Sequence, residues 1–340
     1  MPADPVLAIE PLGFPWQTAD PFLFCAFHDD AYPPGNEAMG PVASLAGRNI
    51  GQDFAAKDGW SMYHGTTVPG FPAHPHRGFE TVTIVRRGLI DHSDSMGAVS
   101  RFGAGDVQWL TAGRGIVHAE MFPLLDAVNA NPLQLFQIWL NLPAASKMVP
   151  PHFQMLWSED IPHRVYNDAN GGDTTVTTLA GRMADLSAPP PPPESWAAHA
   201  ENDVAIVTLK LTPGATWTLP AATGMGTRRR LYFFRGTHLK VAGQEFPPGT
   251  MMEVRADADL LLANGDDIAE LLMLQGRPIG EPVVKYGPFV MNTEDEISQA
   301  IDDFRRRQYG EWPWTRPDPV HLREFGRFAI HADGTAEHKN

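Results

Sequence analysis

The chain of 340 residues contains a single cysteine, Cys25. One thiol excludes an internal disulfide and offers no Cys–Cys spacing for a zinc ribbon or a redox pair, so a reducing, cytoplasmic setting is the simpler expectation. Long apolar runs are missing too. No stretch approaches the ~20 consecutive apolar residues of a membrane span, and Met1–Gln17 lacks the basic segment and apolar run of a secretion signal. Cationic residues are few: 26 Lys and Arg against 40 Asp and Glu give a formal charge of -14, which would repel a phosphate backbone and argues against nucleic acid as a direct partner. The runs Arg228–Arg230 and Arg305–Arg307 are three residues each, the size of a solvated face.

What the chain does have is 32 prolines and 31 glycines, the punctuation of many turns and many short strands. Its length suits two domains. From Gly70 to Asn141, β-branched and aromatic runs such as Glu80–Val85, Asp106–Leu110 and Leu135–Asn141 alternate with Gly or Pro turns, the pattern of a barrel. Val204–Arg277 repeats the plan. Pro213-Gly214 answers Pro69-Gly70, Arg235-Gly236 answers Arg87-Gly88, and Pro248-Gly249-Thr250 answers Ala104-Gly105-Asp106. The expected organisation is all-β: a first barrel over residues 20–145, a connection over 146–200, a second barrel over 201–292, and a helix and tail over 293–340. The connection carries Pro189–Pro193, read as an extended polyproline spacer. Thr293 and Glu296 form a capping-box pattern ahead of Ile297, Ile301 and Phe304 at helical spacing. Trp312–Asn340 shows no clear role.

His74 and His76 stand two apart in a strand-like run. Strand geometry sends both imidazoles to one side, about 7 Å apart at the backbone. Alternation carries that side on through Glu80, Val82 and Ile84. His118 and Glu120 repeat the spacing after the turn Ala112-Gly113-Arg114-Gly115. Two such pairs beside glycine turns are hard to explain as core packing, because buried imidazoles and carboxylates are costly without partners. Imidazole and carboxylate donors suit iron, manganese, nickel, cobalt, copper or zinc, whereas magnesium and calcium prefer oxygen. Glu80 competes with Glu120 for the carboxylate place. His92 reads as a surface residue in slight preference to a group that supports the ligands, and Arg77 and Arg114 as outer salt-bridge formers. In the second copy Trp217-Thr218-Leu219-Pro220 replaces the first pair and the place of His118 falls near Leu262, so no ligand set is expected there.

The segments His74-Pro75-His76-Arg77-Gly78-Phe79-Glu80-Thr81, Gly105–Met121 and Tyr286-Gly287-Pro288-Phe289-Val290-Met291-Asn292 closely resemble signature stretches of the pirin family. The likeness runs from about Gly59 to Phe304; the proline-bearing connection and the tail depart from it. The resemblance implies a bicupin, two tandem jelly-roll barrels, with one metal ion, usually iron, in the first. Carried over by position, the family's ligands fall on His74, His76, His118 and Glu120, which decides the carboxylate place for Glu120.

The resemblance also implies two functions. One is a flavonol dioxygenase, binding a small aromatic substrate such as quercetin with dioxygen, where Glu120 or a neighbouring carboxylate takes the substrate's proton and the ring opens with loss of carbon monoxide. Val82, Ile84, Trp109 and Phe122 are then candidates for a planar aromatic pocket. The other is a metal-dependent regulator acting through a protein partner.

Overall fold

The computed structural model describes residues 4–339 as two compact units, each a pair of facing β-sheets. The histidine-bearing unit comprises Phe27–Ile138, Ala144–Ser158 and the chain from Glu281 onward. One of its sheets orders the strands His152–Leu156, Val107–Thr111, Phe79–Arg87, Asn131–Asn141 and Phe22–Tyr32. The other orders Ala336–Lys339, Arg327–Ile330, Val99–Gly103, Leu89–Asp94, Ile116–Met121 and Gly70–His76. Val85, Leu110, Leu135 and Phe153 of the first sheet meet Ile90, Phe102, Ile116 and Ala329 of the second in one buried cluster. Strand alternation and the wish to bury one apolar face per sheet account for this core.

The tail has a structural part that its composition does not announce. Arg327–Ile330 pairs antiparallel with Val99–Gly103, and Ala336–Lys339 pairs with Arg327–Ile330 in turn. Polar residues on the exposed face of an added edge strand hide the strand pattern from a reading of composition.

The second unit comprises the described residues up to Ala26, Trp139–Pro143 and Glu159–Gly280. Its larger sheet runs from Val6–Pro11 through Thr250–Val254, Arg228–Arg235, Ala269–Gly276, Ala205–Leu211 and Asp173–Ala180 to His163–Asn167. A four-stranded sheet, centred on Leu260–Asn264, faces it across a core that includes Leu209, Leu231, Met273, Trp217 and Leu262. The all-β duplicated architecture is thus the one the turn pattern implied.

The helix Glu294–Arg307 has the capping box: Glu296 N donates to Thr293 Oγ1 at 3.2 Å, and Thr293 N donates to the Glu296 carboxylate at 2.9 Å. Acidic residues fill its first turn and Arg305–Arg307 its last, which complements the helix dipole and leaves that basic run in solvent. Ile297 and Ala300 are buried against Phe289 and Met291. Among the described residues no helix is long and apolar enough to cross a membrane.

Candidate metal centre

The strands Gly70–His76 and Ile116–Met121 pair antiparallel with His74 opposite His118. The His74 and His118 rings lie 4.4 Å apart and those of His76 and His118 4.9 Å apart. One donor atom from each of His74, His76 and His118 falls within 4.8 Å of the others. His118 is fully buried, and neither of its ring nitrogens has a hydrogen-bond partner among the described residues. His74 is half-buried; its Nδ1–H donates to the Pro72 carbonyl at 2.9 Å, which leaves Nε2 with its lone pair free for the cluster. The Pro288 carbonyl supports His76. Burial pushes His74 down to about 4 and His76 and His118 well below their ordinary value, with the neighbouring imidazoles adding to the effect. All three are neutral at pH 7, the form that donates to a cation.

Glu120 stands beside the cluster rather than within it. Its Oε2 lies 3.9 Å from His118 Nε2 and accepts from Gln137 Nε2 at 2.7 Å, while Oε1 accepts from Thr83 Oγ1 at 3.3 Å. Burial raises its pKa, against the lowering effects of His92, Gln137 and Thr83.

Glu80 points the other way from the side of its strand that reaches Glu120. Thr111 Oγ1 donates to it at 2.6 Å, and it alternates with Thr83, which reaches Glu120. The period-two reading from His76 onward fails because Arg77 and Gly78 carry the chain from one sheet to the other. Gly78 has φ +86°, and a Cβ there would fall 2.0 Å from the Val290 carbonyl oxygen, so the crossing demands glycine. The phase resets at that point. Val82 and Ile84, with Trp109 opposite Val82, therefore share the Glu80 side of the strand, away from Thr83, and do not wall the histidine site. Phe122 does lie near it. It packs on Phe71 and Tyr63, and the Phe71 ring is 6.3 Å from that of His74.

His92 corrects the surface expectation. It is fully buried, opposite Glu120 on the ladder, stacked on Phe153, and its Nε2 donates to Asp94 at 3.2 Å. The His92-x-Asp94 spacing was a visible signal of the same kind as the two ligand pairs. Gln137 and Thr83 gave none. Arg77 forms the anticipated ion pair, 2.9 Å from Asp303, although its side chain is buried, and its Nε donates to the Arg114 carbonyl. In the second unit Trp217 faces Leu262 in the register where His74 faces His118, an apolar pair in place of two imidazoles.

The fold has counterparts among known proteins. A crystal structure titled quercetin 2,3-dioxygenase, from Acinetobacter baumannii, superposes with a TM-score of 0.69 at 27% identity, covering 90% of this chain and 98% of that one. A Pseudomonas aeruginosa protein named "Putative quercetin 2,3-dioxygenase" is 38% identical over 71% of this chain and 79% of its own length. Pirin of Homo sapiens is 32% identical over 73% of this chain and 80% of its own. Residues 15–140 match the family model of Pirin and residues 206–310 that of the Pirin C-terminal cupin domain, so the chain belongs to the pirin family.

Proposed function

We propose that this protein is a metal-dependent dioxygenase acting on flavonols such as quercetin, with one first-row transition ion, iron first among them, held by His74, His76, His118 and Glu120. The observation that carries the reading is His118, an interior imidazole with no hydrogen-bond partner that faces two further neutral imidazoles. Burying that polar group without a partner would cost a few kcal/mol, and a bound cation removes the cost. The donor set fits a borderline ion rather than magnesium or calcium. When bound, such an ion supplies Lewis acidity and a redox partner for dioxygen.

The chain's own residues do the rest. Glu120, whose Oε2 stands 3.9 Å from His118 Nε2, is placed to take the hydroxyl proton of the substrate. Gln137 and Thr83 hold that carboxylate in place. Phe71, Tyr63 and Phe122 form an aromatic wall on the His74 side, against which a flat ring system would pack.

The test loads the metal-free protein separately with iron, manganese, nickel, cobalt, copper and zinc, and follows flavonol absorbance, oxygen uptake and carbon monoxide release. At least one redox-active form should turn over, and His118→Ala should abolish the activity. If no loaded form consumes flavonol, while the protein binds a cellular partner only when metallated, the regulator reading replaces this one.

A further inference from the structure

Of the three clustered imidazoles only His74 is partly exposed, and a continuous set of rings leads from it to the surface. The half-buried Phe71 lies 6.3 Å from His74 by ring centroids, and it meets His64 at 5.7 Å and Phe54 at 6.4 Å. Phe54 and His64 are both exposed, with their rings 5.1 Å apart. His64 also acts electrostatically on His74, which puts it near the cluster, although it is not one of the clustered donors.

The segment that carries these two exposed rings is firmly held. Asp53 and Tyr63 exchange backbone hydrogen bonds, each at 2.9 Å, and the Asp53 carboxylate accepts from Met62 N at 2.9 Å and pairs with Arg48 at 3.0 Å. His64 N donates to the Gly70 carbonyl at 3.1 Å, which ties it to the strand that bears His74 and His76. Tyr63 has φ +56°, a left-handed conformation that a bulky residue keeps only where its surroundings impose it. Those surroundings are its hydroxyl on the buried Asp30 at 2.8 Å and its ring stacked on Phe71 at 5.2 Å.

The His64 side chain is oriented as well. A carbonyl can only accept, so Nδ1 carries the proton that bonds the Gly51 carbonyl at 2.7 Å, and Nε2 of the neutral ring is left as an acceptor. Among the described residues no group is bonded to that nitrogen. A structural role for His64 would be complete with the Gly51 bond. It would not explain an exposed acceptor beside an exposed phenyl ring, one further phenyl ring away from the clustered imidazoles.

We propose that His64 is a specificity-determining residue, whose Nε2 accepts a phenolic hydroxyl at the end of a flat aromatic substrate remote from the end that reaches the histidine cluster. Given the dioxygenase reading, on which this rests, Phe71 packs on the ring system between the two ends, and His64 decides among flavonols by the hydroxyls they carry.

The probes are quercetin, and 3-hydroxyflavone, which keeps the same chelating oxygens and lacks every remote hydroxyl. Binding of each to the full-length zinc-loaded protein is measured by equilibrium dialysis under nitrogen, so that no turnover intervenes. The native protein should bind quercetin more tightly than 3-hydroxyflavone. His64→Phe, which keeps an aromatic ring at the rim, should weaken quercetin by about fivefold, the scale of one neutral hydrogen bond, and leave 3-hydroxyflavone and the zinc content unchanged. His64→Gln, which still offers an acceptor, should keep most of the preference, and His64→Ala replaces His64→Phe if the latter does not fold. Equal binding of the two probes by the native protein, a preference that survives in His64→Phe, or an equal loss of both probes in that variant would overturn the role of His64 and leave the dioxygenase reading standing. Failure of the native protein to bind either probe would overturn both.

Discussion

The Gln137 side-chain amide donates to the Glu120 carboxylate at 2.7 Å, on the same oxygen that stands 3.9 Å from His118 Nε2. A buried carboxylate so held has its orientation chosen for it, and outer partners of this kind are commonly worth 10–100-fold in metal affinity. Gln137→Leu should therefore weaken metal binding by about tenfold while the fold persists. Competition titration against a chromogenic chelator measures this. An affinity within about twofold of the native value would remove Gln137 from the site.

The two carboxylates should separate cleanly. Glu120→Gln should lower metal affinity and alter the spectrum of the cobalt-loaded protein. Glu80→Gln should leave both unchanged and cost about 1 kcal/mol of stability through its bond from Thr111. The reverse order would return the ligand role to Glu80.

The pairs His74 with His76 and His118 with Glu120 were legible because each lies within a single strand, where period two is enforced by backbone geometry. The reading failed where the strand ended. Arg77-Gly78 moves the chain to the other sheet, and from there Glu80, Val82 and Ile84 no longer share the histidines' side. His92 was misplaced for another reason. A polar residue in a short strand looks solvent-facing until the strand beside it is known, and Val99–Gly103 and Ile116–Met121 flank it on both sides. The duplicated plan was readable from its turns, and the observed registers of His74 with His118 and of Trp217 with Leu262 agree with the matched positions. Gln137 left no trace in the sequence, since a single polar residue in a core strand carries no pattern.

Protonation should destabilise the metal-free protein well above the range of ordinary carboxylates. Burial holds His28 and His74 at about 4, and His76 and His118 well below the ordinary imidazole value of about 6.5. The unfolded chain therefore binds more protons than the folded one between these values, and stability present above pH ~6.5 is lost as pH falls toward about 4. Asp30 opposes this. Its pKa is raised to about 6 and that of Glu120 is raised by burial too, so the folded state holds these protons more tightly, but two carboxyls face four histidines, to which the lowered His152 and His321 add. Urea midpoints should fall steadily from pH 7 to pH 4.5, and bound metal should flatten the slope. A midpoint independent of pH in that window would contradict the neutral, buried assignment.

The tail should depend strongly on one fully buried ion pair, beside the pair of Arg327 with Asp106. Arg101 meets Asp91 bidentately, Nε to Oδ1 at 2.6 Å and Nη2 to Oδ2 at 2.8 Å, with both side chains fully buried. The remaining donors of Arg101 reach the carbonyls of His321, Leu322 and Phe325, and His321 N donates to Asp91 at 2.7 Å. One ion pair thus fixes the turn from which Arg327–Ile330 enters the sheet. Asp91→Asn keeps the shape but leaves the guanidinium charge uncompensated, a change that costs about 3–5 kcal/mol when the pair is buried. The loss should appear first as release of the tail, seen as rapid proteolytic cleavage within residues 312–326, followed by a lower urea midpoint. Arg101→Met with Asp91→Leu, which removes both charges, should recover part of the midpoint without restoring protection of the tail, because the three carbonyls would still lack their donor. A destabilisation below about 1 kcal/mol in Asp91→Asn, with the tail still protected, would show that the strand pairing holds the tail unaided.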